Sequence, residues 1–335
     1  MSAGAYRRAG VDLDAAAEAT TLIRELARAA SGPEVVEGIG GFAGLYRLDQ
    51  GSLLAAATDG VGTKLEIARE AGRLDTVGID LVAMCANDVA CTGARPLFFL
   101  DYIAVGRLVP EEIAGIVAGV AEGCKRAGCA LLGGETAEHP GLLEPGRFDL
   151  AGFCVGLVEE SDLLGPQRVE SGDVVLGLRS SGLHSNGFSL VRRAIEGLNL
   201  LETPDGLNRP LADELLEPTL IYVPVILEAG RRSLLHAAAH VTGGGLQENL
   251  PRVLPQGLGA AVELGAWEPQ PVFSFVEQTS SASREEMFRT FNMGIGMTLV
   301  VPAGAEEQAA ALSSELGFEP IRIGTVEPGE GVRFS

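Results

Sequence analysis

The chain has 335 residues, 46% of them hydrophobic and 21% charged, with a formal net charge of −20. This excludes a disordered chain and a general nucleic-acid binder, because so acidic a surface repels a polyanion and no basic stripe offsets it. No apolar run reaches the ~18 residues of a membrane span, the N-terminus lacks the apolar stretch of a secretory signal, and the length suits two domains of about 150 residues each. The expected location is the cytoplasm. Five cysteines (85, 91, 124, 129 and 154) show no metal-ligand spacing and read as reduced core residues.

In chain order, residues 12–30 predict a helix, with Asp12 or Asp14 able to cap it and Leu22, Ile23, Leu26 and Ala30 at helical spacing. "GIGGFAG" (38–44) is a glycine loop entering a strand, without the G-x-G-x-x-G order of a dinucleotide fingerprint. "SLLAAAT" predicts a strand that runs into "TDGVGTK" (58–64), and "LEIAREAG" a short helix. "GIDLVAMCANDVACTGA" predicts a mostly apolar helix, "PLFFLDYIAVG" a strand, and "PEEIAGIVAGVAEGCKRAG" an amphipathic helix with Pro110 in its first turn. "CALLGGETAEHPG" and "FDLAGFCVGLVE" are two more strands. Near "LLGPQRVESGD" the pattern resets, which divides the chain into residues 1–170 and 171–335. The second half again mixes strands and helices, so the fold class is α/β (α+β) in two domains.

Three acids sit where carboxylates are costly. Asp59 lies inside a glycine loop, Asp88 on the apolar helix, and Glu135 after "ALLGG" at a strand end. Each has an ordinary explanation: Asp59 as a turn residue, Asp88 paired with an arginine, Glu135 capping the turn. Together, with few basic partners nearby in sequence, they fit one hard divalent cation. Magnesium prefers oxygen ligands and bridges carboxylates to phosphate. On that reading Asp59 holds the metal, the metal holds a phosphate, and Lys64 adds a point charge. The order of "DGVGTK" is not that of a Walker A loop. Past the boundary, "SSGLHSNGFSLVRRA" (180–194) joins a strand end to a helix start. Ser185 or Asn186 can cap that helix, and His184 beside it suits anion binding or acid–base work. In "HVTGGGLQENL", Gly243, Gly244 and Gly245 can admit a ligand phosphate at a helix start. His236 reads as structural and His139 as a loop residue facing solvent.

These stretches occur together and in order: "YRRAGVD", "GIGGFAG", "TDGVGTKL", "GIDLVAMCANDV", "GGETAEHPG", "GLRSSGLHSNGFSLVR", "HVTGGGLQENLPRVLP" and "RTFNMGIGM". In this the chain resembles the aminoimidazole ribonucleotide synthetase family, the phosphoribosylformylglycinamidine cyclo-ligases. The resemblance runs from about Tyr6 to the C-terminus. It implies ATP-dependent ring closure of formylglycinamidine ribonucleotide in purine biosynthesis, with ADP and phosphate released, and ATP and Mg2+ as cofactors. It also implies a homodimer joined through a β-barrel of the N-terminal domains. Carried over residue by residue, Asp59, Asp88 and Glu135 are magnesium ligands. Gly38, Gly40, Gly41, Asp59, Gly60, Thr63 and Lys64 meet the nucleotide. Lys64, His184 and Asn186 serve catalysis, and His184, Ser185, Asn186 and Gly243 to Gly245 meet the substrate. The chain departs from the family pattern at Arg8, where an acid is common, and at Leu220 and Pro224, where an arginine and a lysine are usual. Two rival readings are an ATP-using enzyme of the same fold, similar to thiamine phosphate kinase, and a non-catalytic nucleotide-binding scaffold.

Overall fold

The computed structural model describes residues 13–335. The expectations attached to residues 6–12, Arg8 and the Asp12 cap among them, lie outside the described residues.

Two six-stranded sheets carry the chain. The first uses β1 (Val35–Glu37), β2 (Gly44–Arg47), β3 (Ser52–Gly60), β4 (Arg95–Val105), β5 (Ala130–Glu138) and β6 (Phe148–Glu159), in the order β1-β2-β3-β6-β4-β5. Its pairings are antiparallel except β4–β5. That parallel pair needs a crossover, which is the amphipathic helix predicted from "PEEIAGIVAG". Four helices belong to this half: α1 (Leu13–Ala30), α2 (Lys64–Ala71), α3 (Asp75–Cys91) and the crossover α4 (Pro110–Ala127).

Helix α3 is nearly all buried, which explains why its sequence is apolar all round rather than on one stripe. β3 turns Leu53, Ala55 and Ala57 into the core on one side of it. α4 crosses it so closely that a Cβ on Gly119 would stand 2.0 Å from the Asp75 carbonyl oxygen. The second domain covers the remaining side. Cys85, Cys91, Cys124 and Cys154 are buried, and all five cysteines are free thiols.

The second sheet contains β7 (Val174–Arg179), β8 (Ala237–His240), β9 (Leu258–Val262), β10 (Ile295–Val301), β11 (Pro320–Pro328) and β12 (Gly331–Phe334), in the order β12-β9-β11-β7-β10-β8. Around it run α5 (Phe188–Ala194), α6 (Leu211–Leu215), α7 (Val223–Arg231), α8 (Gly245–Asn249), α9 (Pro271–Ser280), α10 (Arg284–Thr290) and α11 (Glu306–Glu315). The first sheet thus ends at Glu159 and the second begins at Val174.

Two apolar surfaces stay open in the single chain. Leu22, Ile23 and Leu26 on α1 are exposed, Leu26 by 74%, so the periodic stripe of this helix does not enter the core of its own chain. On the uncovered face of the first sheet, Tyr102 and Phe153 are also exposed.

Candidate active site

The loop "TDGVGTK" leaves the end of β3 and splits in two directions. Asp59 pairs in register with Gly152 of β6, which pairs with Asp101 of β4, which pairs with Gly134 of β5. Residues in one register line share a face, here the face that meets α3. Asp59 keeps part of its surface in solvent but is crowded by protein. Burial pushes its carboxyl up to about 6; the Gly60 amide, donating at 2.7 Å, and His240 oppose this, while the Asp88 carboxylate adds to it. Asp88, near the end of α3, is 20% exposed and bonded to His240 Nδ1 at 2.9 Å. Asp88 is therefore near enough to Asp59 to disfavour the Asp59 anion.

Glu135 does not join them. It stands opposite Tyr102, one residue out of phase with the Asp59 line, so the strand alternation places it on the other face of the sheet. Its carboxylate accepts the Thr136 amide at 2.9 Å. Among the described residues no group of three histidine, cysteine, aspartate or glutamate side chains could hold a metal ion. The expectation of one three-carboxylate cluster is corrected to a pair. A pair still fits magnesium, which takes one or two carboxylates and completes its shell with water and phosphate oxygens. The donors are hard oxygens, and burial with the neighbouring Asp88 is what keeps the Asp59 carboxyl raised.

The second half of the loop turns inward, and here the reading of Lys64 as a direct phosphate contact is corrected. Lys64 has no exposed surface. Its Nζ lies 2.7 Å from Asp80 Oδ2 and donates to the carbonyl oxygens of His184 at 3.1 Å and Glu217 at 2.9 Å. Burial pulls the amine below the usual lysine range, and Asp80 pulls it back. All of its hydrogen-bonding capacity is used on protein. Thr63 points the same way: its hydroxyl meets Ser189 of α5 at 3.2 Å, across the domain seam.

Lys64 thereby anchors the second constellation. His184 takes a left-handed backbone (φ 59°), unusual for any residue but glycine, asparagine or aspartate, and the Lys64 bond to its carbonyl helps hold it there. Its ring is buried, not open to a ligand as the sequence suggests. Burial lowers its basicity well below the ordinary histidine value, and nearby His240 and Lys64 push the same way. The Ser181 amide donates to Nε2 at 3.2 Å, so the proton of this neutral ring sits on Nδ1, which has no protein partner. Neither Ser185 nor Asn186 caps α5; Gly187 is its N-cap and no side chain closes it. Ser185 instead meets Thr219 Oγ1 at 3.1 Å. Asn186 Oδ1 accepts the Gly243 amide at 3.1 Å, and its Nδ2 is buried without a partner.

That bond joins the two polar loops expected to meet substrate. Gly245 is required where it stands: φ is +61°, and a Cβ would fall 2.0 Å from the Phe288 carbonyl oxygen. Arg252, a few residues past α8, reaches back to the first domain. It donates to the Gly41 carbonyl and stacks 4.0 Å over the Phe42 ring. Gly38, Gly40 and Gly41 line a cavity of about 850 Å³ with Arg24 and Arg28 of α1 and with Ala56 and Thr58 of β3, which alternate in face with Asp59. That cavity is lined by residues of the first domain, and the Arg252–Gly41 and His240–Asp88 contacts tie this domain to the second beside it.

Sequence reasoning passed over three residues that organise this seam. Asp80 Oδ1 accepts both the amide and the hydroxyl of Thr219 at 2.7 Å. Asn87 accepts the Tyr222 amide at 2.8 Å and donates to the Leu220 carbonyl at 2.9 Å. His240 bonds Asp88. Asp80 and Asn87 lie two turns apart on α3 and strap residues 219–222 to it. The signal that picked out Asp88, a polar residue on an apolar helix, was equally present at both. Leu220 contributes its backbone carbonyl to this strap, and Pro224 occupies the first turn of α7, where proline is well tolerated. His236 pairs with Asp173 at 2.7 Å, and His139 accepts or donates to Tyr102 Oη at 2.8 Å.

A fold of two such mixed halves with a polar seam between them defines the AIR synthase related class. Residues 40–158 match the AIR synthase related protein N-terminal domain, and residues 170–335 its C-terminal domain. Among solved structures, the thiamine-monophosphate kinase of Stenotrophomonas maltophilia K279a superposes with a TM-score of 0.63 at 20% identity, over 94% of this chain and 96% of that one. AaThiL in complex with AMPPCP and TMP gives 0.64 at 18% identity, over 93% and 92%. At such identities these share the fold alone. Sequence relatives are nearer. The phosphoribosylformylglycinamidine cyclo-ligase of Thermosynechococcus vestitus is 53% identical over 97% of both chains. That of Geobacillus kaustophilus is 49% identical over 99% of this chain and 98% of its own. The chain belongs to the phosphoribosylformylglycinamidine cyclo-ligase family.

Proposed function

We propose that the interdomain cleft binds ATP and formylglycinamidine ribonucleotide, with Mg2+ between Asp59 and Asp88. The family reaction is the ATP-dependent closure of that substrate to 5-aminoimidazole ribonucleotide, with ADP and phosphate released. The observation that carries the site assignment is the Asp59 carboxyl, raised by burial and by its neighbour Asp88, at the end of the strand that follows the glycine loop.

The chemistry suits these groups. A formyl oxygen is a poor leaving group until phosphorylated, and phosphoryl transfer needs in-line positioning and charge neutralisation more than covalent help. Mg2+, when bound, supplies that neutralisation. The amides of Gly38, Gly40 and Gly41 bind and orient the nucleotide phosphates, helped by Arg24 and Arg28, while the Gly60 amide is taken by Asp59. Asn186 offers its unpartnered Nδ2 to the substrate, and Gly243 to Gly245 bring backbone close to its ribose phosphate. His184 and Lys64 act from behind the cleft wall, fixing the loop that presents Asn186. Holding the substrate folded makes ring closure effectively unimolecular. Glu135, on the other face, belongs to this site only if a second subunit brings it there.

A homodimer is supported by the apolar faces left open on α1 and on the first sheet, Leu26, Tyr102 and Phe153 among them. Placing Phe153→Glu there yields monomers in analytical ultracentrifugation; an unchanged dimer removes the sheet face from the interface. The cytoplasm is the expected compartment, and no helix among the described residues is long and apolar enough to cross a membrane.

The activity test is ATP-dependent formation of aminoimidazole ribonucleotide by the purified protein. Asp88→Asn loses this turnover while its circular dichroism is unchanged. Phosphorylation of thiamine monophosphate instead would point to the kinase reading, and nucleotide binding with no turnover to a scaffold.

A further inference from the structure

His240 belongs to the second domain yet closes on an acid of the first. It ends β8, has no exposed surface, and sets Nδ1 2.9 Å from Asp88 Oδ1. Its other nitrogen, Nε2, lies 3.4 Å from Asn87 Nδ2. The Asn87 amide is not free to turn over. Its Oδ1 accepts the Tyr222 amide and its Nδ2 donates to the Leu220 carbonyl. Reversal would set donor against donor and acceptor against acceptor in a buried place. Nδ2 therefore offers a hydrogen to His240 Nε2, which must present its lone pair. The imidazole proton is left on Nδ1, where Asp88 Oδ1 accepts it.

We propose that His240 is the positioning residue of the candidate metal centre. Its Nδ1–H holds one oxygen of Asp88 and fixes that carboxylate's orientation, leaving the second oxygen for a divalent cation shared with Asp59. Asn87 sets the tautomer and, with the same amide, straps Leu220 and Tyr222 to α3. Docking of the second domain and aiming of the metal acid are thus one event, because both use the same side chain. This inference rests on the metal role assigned to Asp59 and Asp88.

Hydrogen-bond partners of metal ligands commonly govern affinity by about 10–100-fold. Mn2+ titrated into the full chain, with the free ion followed by electron paramagnetic resonance, reads this without turnover. His240→Leu weakens Mn2+ binding by about 10–100-fold. His240→Asn, whose amide N–H falls near the place of Nδ1–H, restores most of the loss. Asp88→Asn is the control. If it binds Mn2+ as the parent does, the metal reading itself fails. If it loses Mn2+ while folded His240→Leu keeps the parent affinity, the positioning role is overturned. Should His240→Leu not fold, nitrogen-15 spectra of the histidine-labelled parent decide: protonated Nδ1 with a bare Nε2 is expected, and the opposite tautomer sinks the proposal.

Discussion

The two halves of one short loop meet opposite fates. Asp59 faces the cleft beside Asp88, with only the Gly60 amide bonded to it, and its carboxyl is driven up to about 6. Lys64, a few residues on, is sealed in the seam with Asp80, and every donor it has is taken. The Asp59 carboxylate has one backbone amide bonded to it, whereas the Lys64 amine is held by three protein oxygens. Buried pairs such as Lys64 with Asp80 contribute little net stability over an apolar pair of like size, but removing one member is costly. Their value here is geometric: Lys64 and Asp80 hold His184, Glu217 and Thr219, and so hold the loop that carries Asn186.

The largest effect that separates the two regions is expected in the seam. Lys64→Met leaves Asp80 charged and alone, at a cost of about 3–5 kcal/mol. Lys64→Met with Asp80→Asn, which still accepts from Thr219, recovers much of that loss in urea unfolding. If the double variant is no more stable than the single one, the pair is not what Lys64 serves. A smaller effect concerns His184, buried as a neutral ring whose basicity lies below its unfolded value. Its contribution is complete above the unfolded value, near 6.5, and declines as pH falls below it, by up to about 1.4 kcal/mol per pH unit for one proton. His184→Asn, which tolerates the left-handed backbone, flattens the fall in melting temperature between pH 6.5 and 5. An unchanged slope would assign the acid lability elsewhere. Smallest is Asn186→Ala, which loses the bond to Gly243. A loss of about 1 kcal/mol raises the substrate KM by several-fold and leaves ATP affinity alone. An equal loss of ATP affinity would move Asn186 to the nucleotide side.

Much of the architecture was legible because local patterns sufficed. The strand–helix alternation, the crossover after β4 and the reset before β7 all follow from runs of apolar residues and breakers. The glycine loops were legible as places of close approach, but at Gly245 the neighbour is the Phe288 carbonyl of the protein itself rather than a ligand phosphate. The apolar helix with an acid on it was legible too, but only Asp88 was read as special. Asp80 and Asn87 carry the same signal, and nothing in a linear reading says which polar residue faces cleft and which faces seam. Lys64 was misread for that reason. Glu135 was grouped with Asp59 because the sequence suggests a strand end at each, whereas β5 runs on to Glu138 and the register across four strands sets the two on opposite faces.

By itself the sequence determined the family and the two mixed halves, because periodicity and motif order are properties of neighbours in the chain. Only the tertiary structure decided which of those charges are spent inside. A carboxylate or an amine is a ligand or a brace according to what lies across from it, and those partners, Asp80 for Lys64 and His240 for Asp88, come from other elements of the fold.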